Sequence, residues 1–447
     1  MFKEFLYVKR KLKACISQYS EGQVIDSKMY LAGKSIIENV SFRLPDDAKN
    51  DSLIAFKQLY RTIKLICVGN SNQKNYEFGD TLILDSSYKF EKLELDYIKR
   101  QSKHEVSSFL IKSDMLKLPV SGKGVLIFLL FLYSIPIIIR SLFNVNKRTN
   151  YALLISEIAE NVCFYKWLNE TKKIKIIYDF IPFEKDGNFM ALLIFNLNIK
   201  LIKVPSPGPL AAHNQILITN QLILSSQYQF EELPHFKETI IADEVVKWLP
   251  EYAFNYIDKY AFKDLKTHKS NIGFYSHGSW LRELVGDVKN KLKIENSESK
   301  LLEDLKIILL KNKDVKLLIL PHPKEKNKKY IERTIKFYDN YLKGINYEIL
   351  MDDSSTADKF NVVDIAISPN STVLYERLFC GYKTLIGCYD MNDFPVSNSN
   401  FSNITFRNLE ELKLLLNKSL KQSQDEFFKS NNLIGYRYFE YDFFKNK

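Results

Sequence analysis

From Asn150 onward, runs of β-branched and aromatic residues alternate with segments whose apolar positions recur at helical spacing. "NYALLISEIAENVCFYKWLNETK" has helical period, "IKIIYDFIP" (Ile174 to Pro182) predicts a strand, "NFMALLIFNLN" a helix, and "IKLIKVPSP" a second strand. "ILITNQLILSSQYQFEEL" predicts a further strand and helix. Strand, helix, strand with short connections is the pattern of a parallel sheet with crossover helices. A short polar stretch, "YAFKDLKTHKSN" (Tyr260 to Asn271), predicts a hinge, and beyond it the alternation restarts. "NIGFYSHG" predicts a strand, and "SESKLLEDLKIILLKN" a helix opened by Ser297 with a capping-box glutamate nearby. "VKLLILPHP" predicts a strand, "NKKYIERTIKFYDNYLKG" a helix ending at Gly344, and "INYEILMDD" and "VVDIAISPN" two more strands. "STVLYERLFCG" and "YKTLIGC" complete the pattern as helix and strand.

The expectation is an α/β protein with two Rossmann-like domains facing each other across a cleft. The N-terminal domain spans 1–262, the C-terminal domain spans 270–425, and a tail over 426–447 packs back on the N-terminal domain. Ligands in such sheets sit at the carboxyl ends of the strands.

The first 118 residues are less regular. "LIAFKQLYRTIKLICVG" mixes helical spacing with an apolar, strand-like end, and "GDTLILDSSYKFEKLELDYIKR" reads as strand, turn and helix. After them comes a hydrophobic segment, 124–140, within "GKGVLIFLLFLYSIPIIIRSLFNVNKR". From Val125 to Ile139 only Tyr133, Ser134 and Pro136 interrupt the aliphatic and aromatic character, and Lys123 and Arg140 bracket the run. A spanning helix needs roughly 20 apolar residues, so this one is short. A buried core helix is one reading. The preferred one is a monotopic segment in one leaflet, with flanking cations reaching lipid phosphates.

Composition narrows the picture. A chain of 447 residues with 46% hydrophobic and 26% charged residues suits two folded domains. The net charge of +11 admits nucleic acid, an anionic membrane or a phosphorylated substrate as partner. The lysines are scattered and no nucleic-acid-binding motif is present, so no nucleic-acid partner is expected. Cys15, Cys67, Cys163, Cys380 and Cys388 are dispersed and form no Cys-x-x-Cys pair, which implies a reducing compartment. The N-terminus lacks the apolar core of a secretion signal. The expected location is cytoplasmic, peripheral or monotopic at the inner membrane.

Candidate chemistry gathers where three predicted strands end, in "YSHGSW", "PHPKE" and "SPNSTVLYER". After Ser368, Pro369 turns the chain, and Asn370, Ser371 and Thr372 occupy a helix N-terminus, where free N–H groups, hydroxyls and the macrodipole favour a phosphate. Glu376 follows four residues past Thr372, placed to grip ribose hydroxyls. Simple capping by Ser371 and a solvated Glu376 are the alternative. His322 at a strand end can donate to phosphate, with Pro323 fixing the turn and Lys324 adding charge. Asp352 and Asp353 read as the cap of a helix starting near Ser354 rather than as a metal pair, and no metal or cofactor is expected.

The stretch Asn271 to Tyr389 resembles the donor domain of GT-B glycosyltransferases. It is most similar to bacterial sialyltransferases and to capsule or lipopolysaccharide polymer enzymes, which carry a His-Pro motif followed by a Ser/Thr motif. The resemblance implies that His322, Ser371 and Thr372 contact the nucleotide phosphate of a CMP-activated sugar. It places "YSHGSWLRE" in the loop after the first donor-domain strand. There Gly278 allows close backbone approach, and His277, Ser279 or Arg282 reaches phosphate. In those sialyltransferases an acidic residue of an acidic-acidic-glycine motif is the general base. This chain has "YDFIPFEKDGN", in which Lys185-Asp186-Gly187 keeps the last two positions. Asp186 is therefore the first candidate base, followed by Glu184 and Asp179. His213, in the rigid "VPSPGPLAAHN", is an alternative base or acceptor platform.

The expected function is an inverting, metal-independent transfer of a sugar, first a CMP-linked nonulosonic acid or Kdo, to a glycan or lipid-linked glycan acceptor at the membrane face. A CDP-polyol phosphotransferase and a non-catalytic nucleotide-binding scaffold are the rivals.

Overall fold

The computed structural model describes residues 1–42, 51–68, 79–85, 106–143, 151–179, 187–205, 216–224, 227–247, 259–263, 270–278, 280–281, 291–352, 354–369, 371–389 and 399–437. They fall into two compact units. The first takes the described residues up to 205, with 216–224 and 236–246. The second takes 227–235 and the described residues from 247 to 437.

The first unit opens with three helices, α1 (Phe2–Ser20), α2 (Ser27–Phe42) and α3 (Asp51–Val68). Strands β1 (Thr81–Asp85) and β2 (Val106–Ile111) follow, then helices α4 (Lys123–Phe143) and α5 (Tyr151–Thr171). The alternation then runs β3 (Ile176–Asp179), α6 (Gly187–Phe195), β4 (Lys200–Lys203), β5 (Leu217–Leu224) and β6 (Ile240–Lys247), while the short helix α7 (Gln227–Glu232) between the last two belongs to the second unit. These strands form one sheet in the order β2-β1-β3-β4-β5-β6, and β1 pairs in parallel with both β2 and β3. Leu82, Ile177, Leu201 and Ile218 from four strands share its core with Phe164 and Trp167 of α5.

Helix α3 is helical throughout. The apolar end that looked strand-like belongs to a buried face made by Leu59, Thr62 and Ile66, at spacings of three and four. Helix α4 is apolar on both its sides, but only one of them is covered. Leu126, Leu130 and Ser134 are buried, while Val125, Phe128, Phe131, Leu132 and Ile135 are exposed. Among the described residues no helix is long and apolar enough to cross a membrane.

The second unit is built on β7 (Asn271–Tyr275), α8 (Lys291–Leu309), β8 (Lys316–Leu320), α9 (Ile331–Leu342), β9 (Tyr347–Ile349) and β10 (Ile365–Pro369). It continues with α10 (Thr372–Phe379), β11 (Thr384–Gly387), β12 (Thr405–Phe406), α11 (Leu409–Lys421) and α12 (Gln424–Ser430). The sheet order is β12-β11-β10-β7-β8-β9, and each of its five pairings is parallel. The first strand therefore lies at the centre, with the chain winding outward first to one side and then to the other. The reversal falls between β7 and β10, and that is where such sheets open a crevice for ligands. The α/β class with two successive wound units is thus as the hydrophobic alternation predicts.

Four local features bear on these expectations. Helix α8 begins at Lys291 and not at Ser297, which lies inside it. The stretch read as a hinge starts with Tyr260 and Ala261 buried, and the Phe262 N–H donates to the Cys380 carbonyl at 2.8 Å, so these residues belong to the second unit. The 3₁₀ helix Thr356–Val362 is capped by Ser355 and Asp358. Asp352 instead accepts from the Ser354 N–H at 3.0 Å and pairs with Lys359 at 2.9 Å, while Asp353 lies outside the described residues. Finally, Phe427, Phe428, Leu433 and Tyr436 of the tail are buried in the core of the second unit.

Candidate functional site

Strands β7 and β8 end in register, with Tyr275 opposite Leu320. The Ser276 N–H continues the ladder by donating to the Leu320 carbonyl at 3.0 Å. The two loops that follow, Ser276-His277-Gly278 and Pro321-His322-Pro323, thus leave the sheet side by side. Gly278 has φ +66°, and a Cβ built there would stand 3.2 Å from His322 Cβ and 3.4 Å from Cγ. A side chain at this position would be strained and would press on the imidazole. The structure thus places His277 and Gly278 beside His322 and Pro323.

A buried carboxylate holds each loop. Glu298, from α8, accepts from the Ser276 hydroxyl at 2.9 Å and from the His277 N–H at 2.7 Å. The Ser276 hydroxyl in turn accepts the Gly278 N–H at 2.9 Å. Glu325 accepts the His322 N–H at 2.6 Å on one oxygen. On the other it accepts Trp280 Nε1–H at 2.5 Å and the Tyr338 hydroxyl at 3.0 Å. Burial first, and then the negative charge of Glu298, push the Glu325 carboxyl up to about 7. Burial likewise pushes Tyr338 well up, with the two carboxylates adding to it. These acids position the backbone; they do not face solvent, since both are 1% exposed or less.

The same loop sets the His322 tautomer. Its Nδ1 accepts the Lys324 N–H at 3.2 Å, so the neutral ring carries its proton on Nε2. Pro323 and Lys324 are exposed beside it.

At the neighbouring strand end, Ser368 is fully buried and its hydroxyl donates to the Tyr275 carbonyl at 2.5 Å. Its hydrogen bond ties β10 to β7, which departs from the expected role as a donor ligand. Ser371 stands at the N-cap of α10 in extended conformation without a side-chain capping bond, so simple capping does not account for its hydroxyl. Glu376 is buried and not a solvated charge. Next to it Arg377, unflagged by the sequence reading, is fully buried. Its guanidinium donates to the Phe360 and Val363 carbonyls at 3.0 Å each and to the Tyr275 hydroxyl at 3.2 Å. The rings of Tyr275, Phe360 and Tyr382 lie 4.9 to 5.7 Å from its centre, giving a cation–π cage that fastens α10 beneath the site.

In the first unit, the described base candidate is Asp179 at the end of β3. It is buried and paired with the equally buried Lys203 of β4 at 3.8 Å. Burial lowers the Lys203 ammonium, and the Asp179 charge works against that shift. Asn188 is 3.5 Å from Lys203 through its amide oxygen, and that oxygen also accepts the Ile218 N–H at 3.1 Å. Its amide nitrogen donates to the Ile216 carbonyl at 2.8 Å. Asp179 is therefore an interior ion-pair partner, not a residue open to an acceptor. Asp186, Glu184, His213, Ser279, Arg282 and the side chain of Thr372 lie outside the described residues. Among the described residues no His, Cys, Asp and Glu cluster is arranged to hold a metal ion.

No protein-family model and no curated protein matches the sequence. Solved structures similar in outline include UDP-GlcNAc 2-epimerase from Neisseria meningitidis bound to UDP-GlcNAc. It is 12% identical, covers 80% of this chain and 95% of that one, and has a TM-score of 0.46. MurG from Acinetobacter baumannii is 11% identical over 79% of this chain and 93% of that one, with a TM-score of 0.41. The wall teichoic acid polymerase TagF is 11% identical over 87% and 92%, with a TM-score of 0.42. At these values the architecture of this chain rests on its own strand pairing.

Proposed function

We propose that this chain is a glycosyltransferase that takes a sugar from a nucleotide-activated donor and passes it to a surface-glycan acceptor at a membrane face. One observation carries the reading: where the adjacent parallel strands β7 and β8 end, beside the switch point between β7 and β10, His322 packs directly on Gly278. The backbone of both loops is fixed there by buried carboxylates. The donor's phosphate is assigned to this edge, with His322 Nε2–H donating to a phosphate oxygen. Gly278 admits the backbone close to the ligand, Lys324 adds charge, and the N-terminus of α10 at Ser371 and Thr372 points its amides at the leaving group.

In the transfer, an acceptor hydroxyl attacks the anomeric carbon as the bond from that carbon to the phosphate oxygen breaks. The hydroxyl proton passes to a base, for which Asp186 is the first assignment, with Glu184 and His213 after it. The nucleotide leaves with the bonding electron pair, its charge met by the helix terminus and His322. A CMP-linked acidic sugar is the first donor assigned.

The test is calorimetric titration of CMP, CDP, UDP and GDP into the wild type and His322→Ala. Selective binding of one nucleotide, weakened about tenfold or more in the variant, supports the site. Indifference to all four, with the variant unchanged, overturns it.

A further inference from the structure

We propose that the exposed face of α4, flanked by the cations of α1, is a docking surface for an anionic lipid membrane, with α4 lying in the plane of the headgroups. This deepens the membrane-face part of the proposed function and is independent of the transfer reaction.

The helix is divided along its length. Lys123, Leu126, Leu130 and Ser134, spaced three and four apart, form its buried face. Val125, Phe128, Phe131, Leu132 and Ile135 occupy the other side, and each is 38% to 60% exposed. Five large apolar side chains in one stripe, with no charged residue anywhere from Gly124 to Ile139, form a contiguous patch of the kind that marks an interaction surface.

Helix α1 supplies its edge. A Cβ at Gly122 would meet Met1 Cβ at 3.1 Å, so the start of α1 adjoins the start of α4. Farther along, Phe5 packs edge-on against Tyr133, and Lys9 Nζ stands 4.8 Å from the centre of the same ring. Phe2, Lys9 and Lys13 share one face of α1 by spacing, and Phe2 is 54% exposed, which extends the apolar patch. The helix carries Lys3, Lys9, Arg10, Lys11 and Lys13 against a single acid, Glu4.

An apolar stripe bordered by cations matches a leaflet with apolar chains below and phosphates at its surface. A second copy of the chain is a poorer occupant. A two-fold pairing through this face would set the cations of one α1 near those of the other.

The experiment is flotation of the full-length protein with vesicles of phosphatidylcholine alone or mixed with phosphatidylglycerol. The wild type is expected to float with the mixed vesicles, less so at high salt. The exposed double substitution Phe128→Ser/Phe131→Ser is expected to reduce partitioning about tenfold or more. Lys9→Ala/Lys13→Ala is expected to reduce binding to the mixed vesicles by about tenfold, while residual binding to phosphatidylcholine is unchanged. Both variants should keep the wild-type circular dichroism and melting profile.

No flotation with either vesicle overturns the proposal, as does a Phe128→Ser/Phe131→Ser variant that floats like the wild type. A wild-type dimer that this variant converts to monomer, without vesicle binding, assigns the face to a second copy instead. Vesicle binding in a preparation that binds no nucleotide upholds the surface and removes the transferase reading.

Discussion

Glu325 and His322 hold each other through the backbone: the glutamate carboxylate accepts the His322 N–H at 2.6 Å, and the His322 carbonyl accepts the Glu325 N–H at 2.8 Å. The ring so closed fixes the Pro-His-Pro turn. Replacing Glu325 by Ala strips the acceptor from three donors, namely His322 N–H, Trp280 Nε1–H and the Tyr338 hydroxyl. Glu325→Ala should lose about 3 kcal/mol in urea unfolding. The folded fraction should bind nucleotide as weakly as His322→Ala. Nucleotide affinity equal to wild type would show that the turn needs no such clamp.

The raised Glu325 carboxyl predicts a pH dependence. Its folded value of about 7 exceeds the ordinary 4.5, so between these values the folded protein binds more protons than the unfolded chain. Its contribution to stability is full below the ordinary carboxylate range and is lost as pH rises through about 7. The melting temperature should therefore fall from pH 5 to pH 8, and the slope should flatten in Glu325→Gln, which does not titrate. Parallel slopes for the two proteins would assign the dependence to other groups.

Gly278 is predicted to tolerate no side chain. Its left-handed backbone and the 3.2 Å approach of His322 Cβ act together, so Gly278→Ala should cost about 1–2 kcal/mol. It should also weaken nucleotide binding by displacing the imidazole. A thermal melt and a nucleotide titration on the one variant check both effects.

Asp179→Asn separates a structural from a chemical role. The substitution keeps the shape but removes the counter-charge of the buried Lys203, and the expected loss is about 3 kcal/mol of stability. The double variant Asp179→Asn/Lys203→Met should recover much of it. A stable Asp179→Asn protein devoid of transfer activity would instead make this carboxylate the base.

Much of the scaffold was legible from residue periods alone. From Ile174 to Thr384 each predicted strand is present, because a parallel sheet covered on both faces forces its strands into short apolar runs bounded by turns. The loops at the strand ends were legible for the same reason. The seat of the loops was not. Glu298 was read only as part of a helix start, because a single acid in a helix carries no mark of the strand-end loop it holds. Glu325 had a faint signal, since an acid three residues after His322 can reach back to its N–H as in a capping box. Arg377 had none: a cation that follows Glu376 in a helix looks like one half of a solvent-facing charged pair, and nothing in the sequence marks the aromatic rings and carbonyls that bury it. Helix α4 misled in the opposite way, because uniform apolarity in sequence conceals which face the fold covers.

The central position of β7 also bears on how the protein is made. Ser368 and Tyr275, joined across the site, are separated by 93 residues of chain. During synthesis the first loop emerges and pairs with the β8 loop while β10 has yet to appear. Until it does, one edge of β7 is an open row of amides and carbonyls in an apolar strand, a template for wrong pairing. A chain arrested between these two residues would carry the histidine loop but not its neighbour at the switch point. Ligand affinity would thus be acquired in one late step, when the fourth strand of this sheet docks.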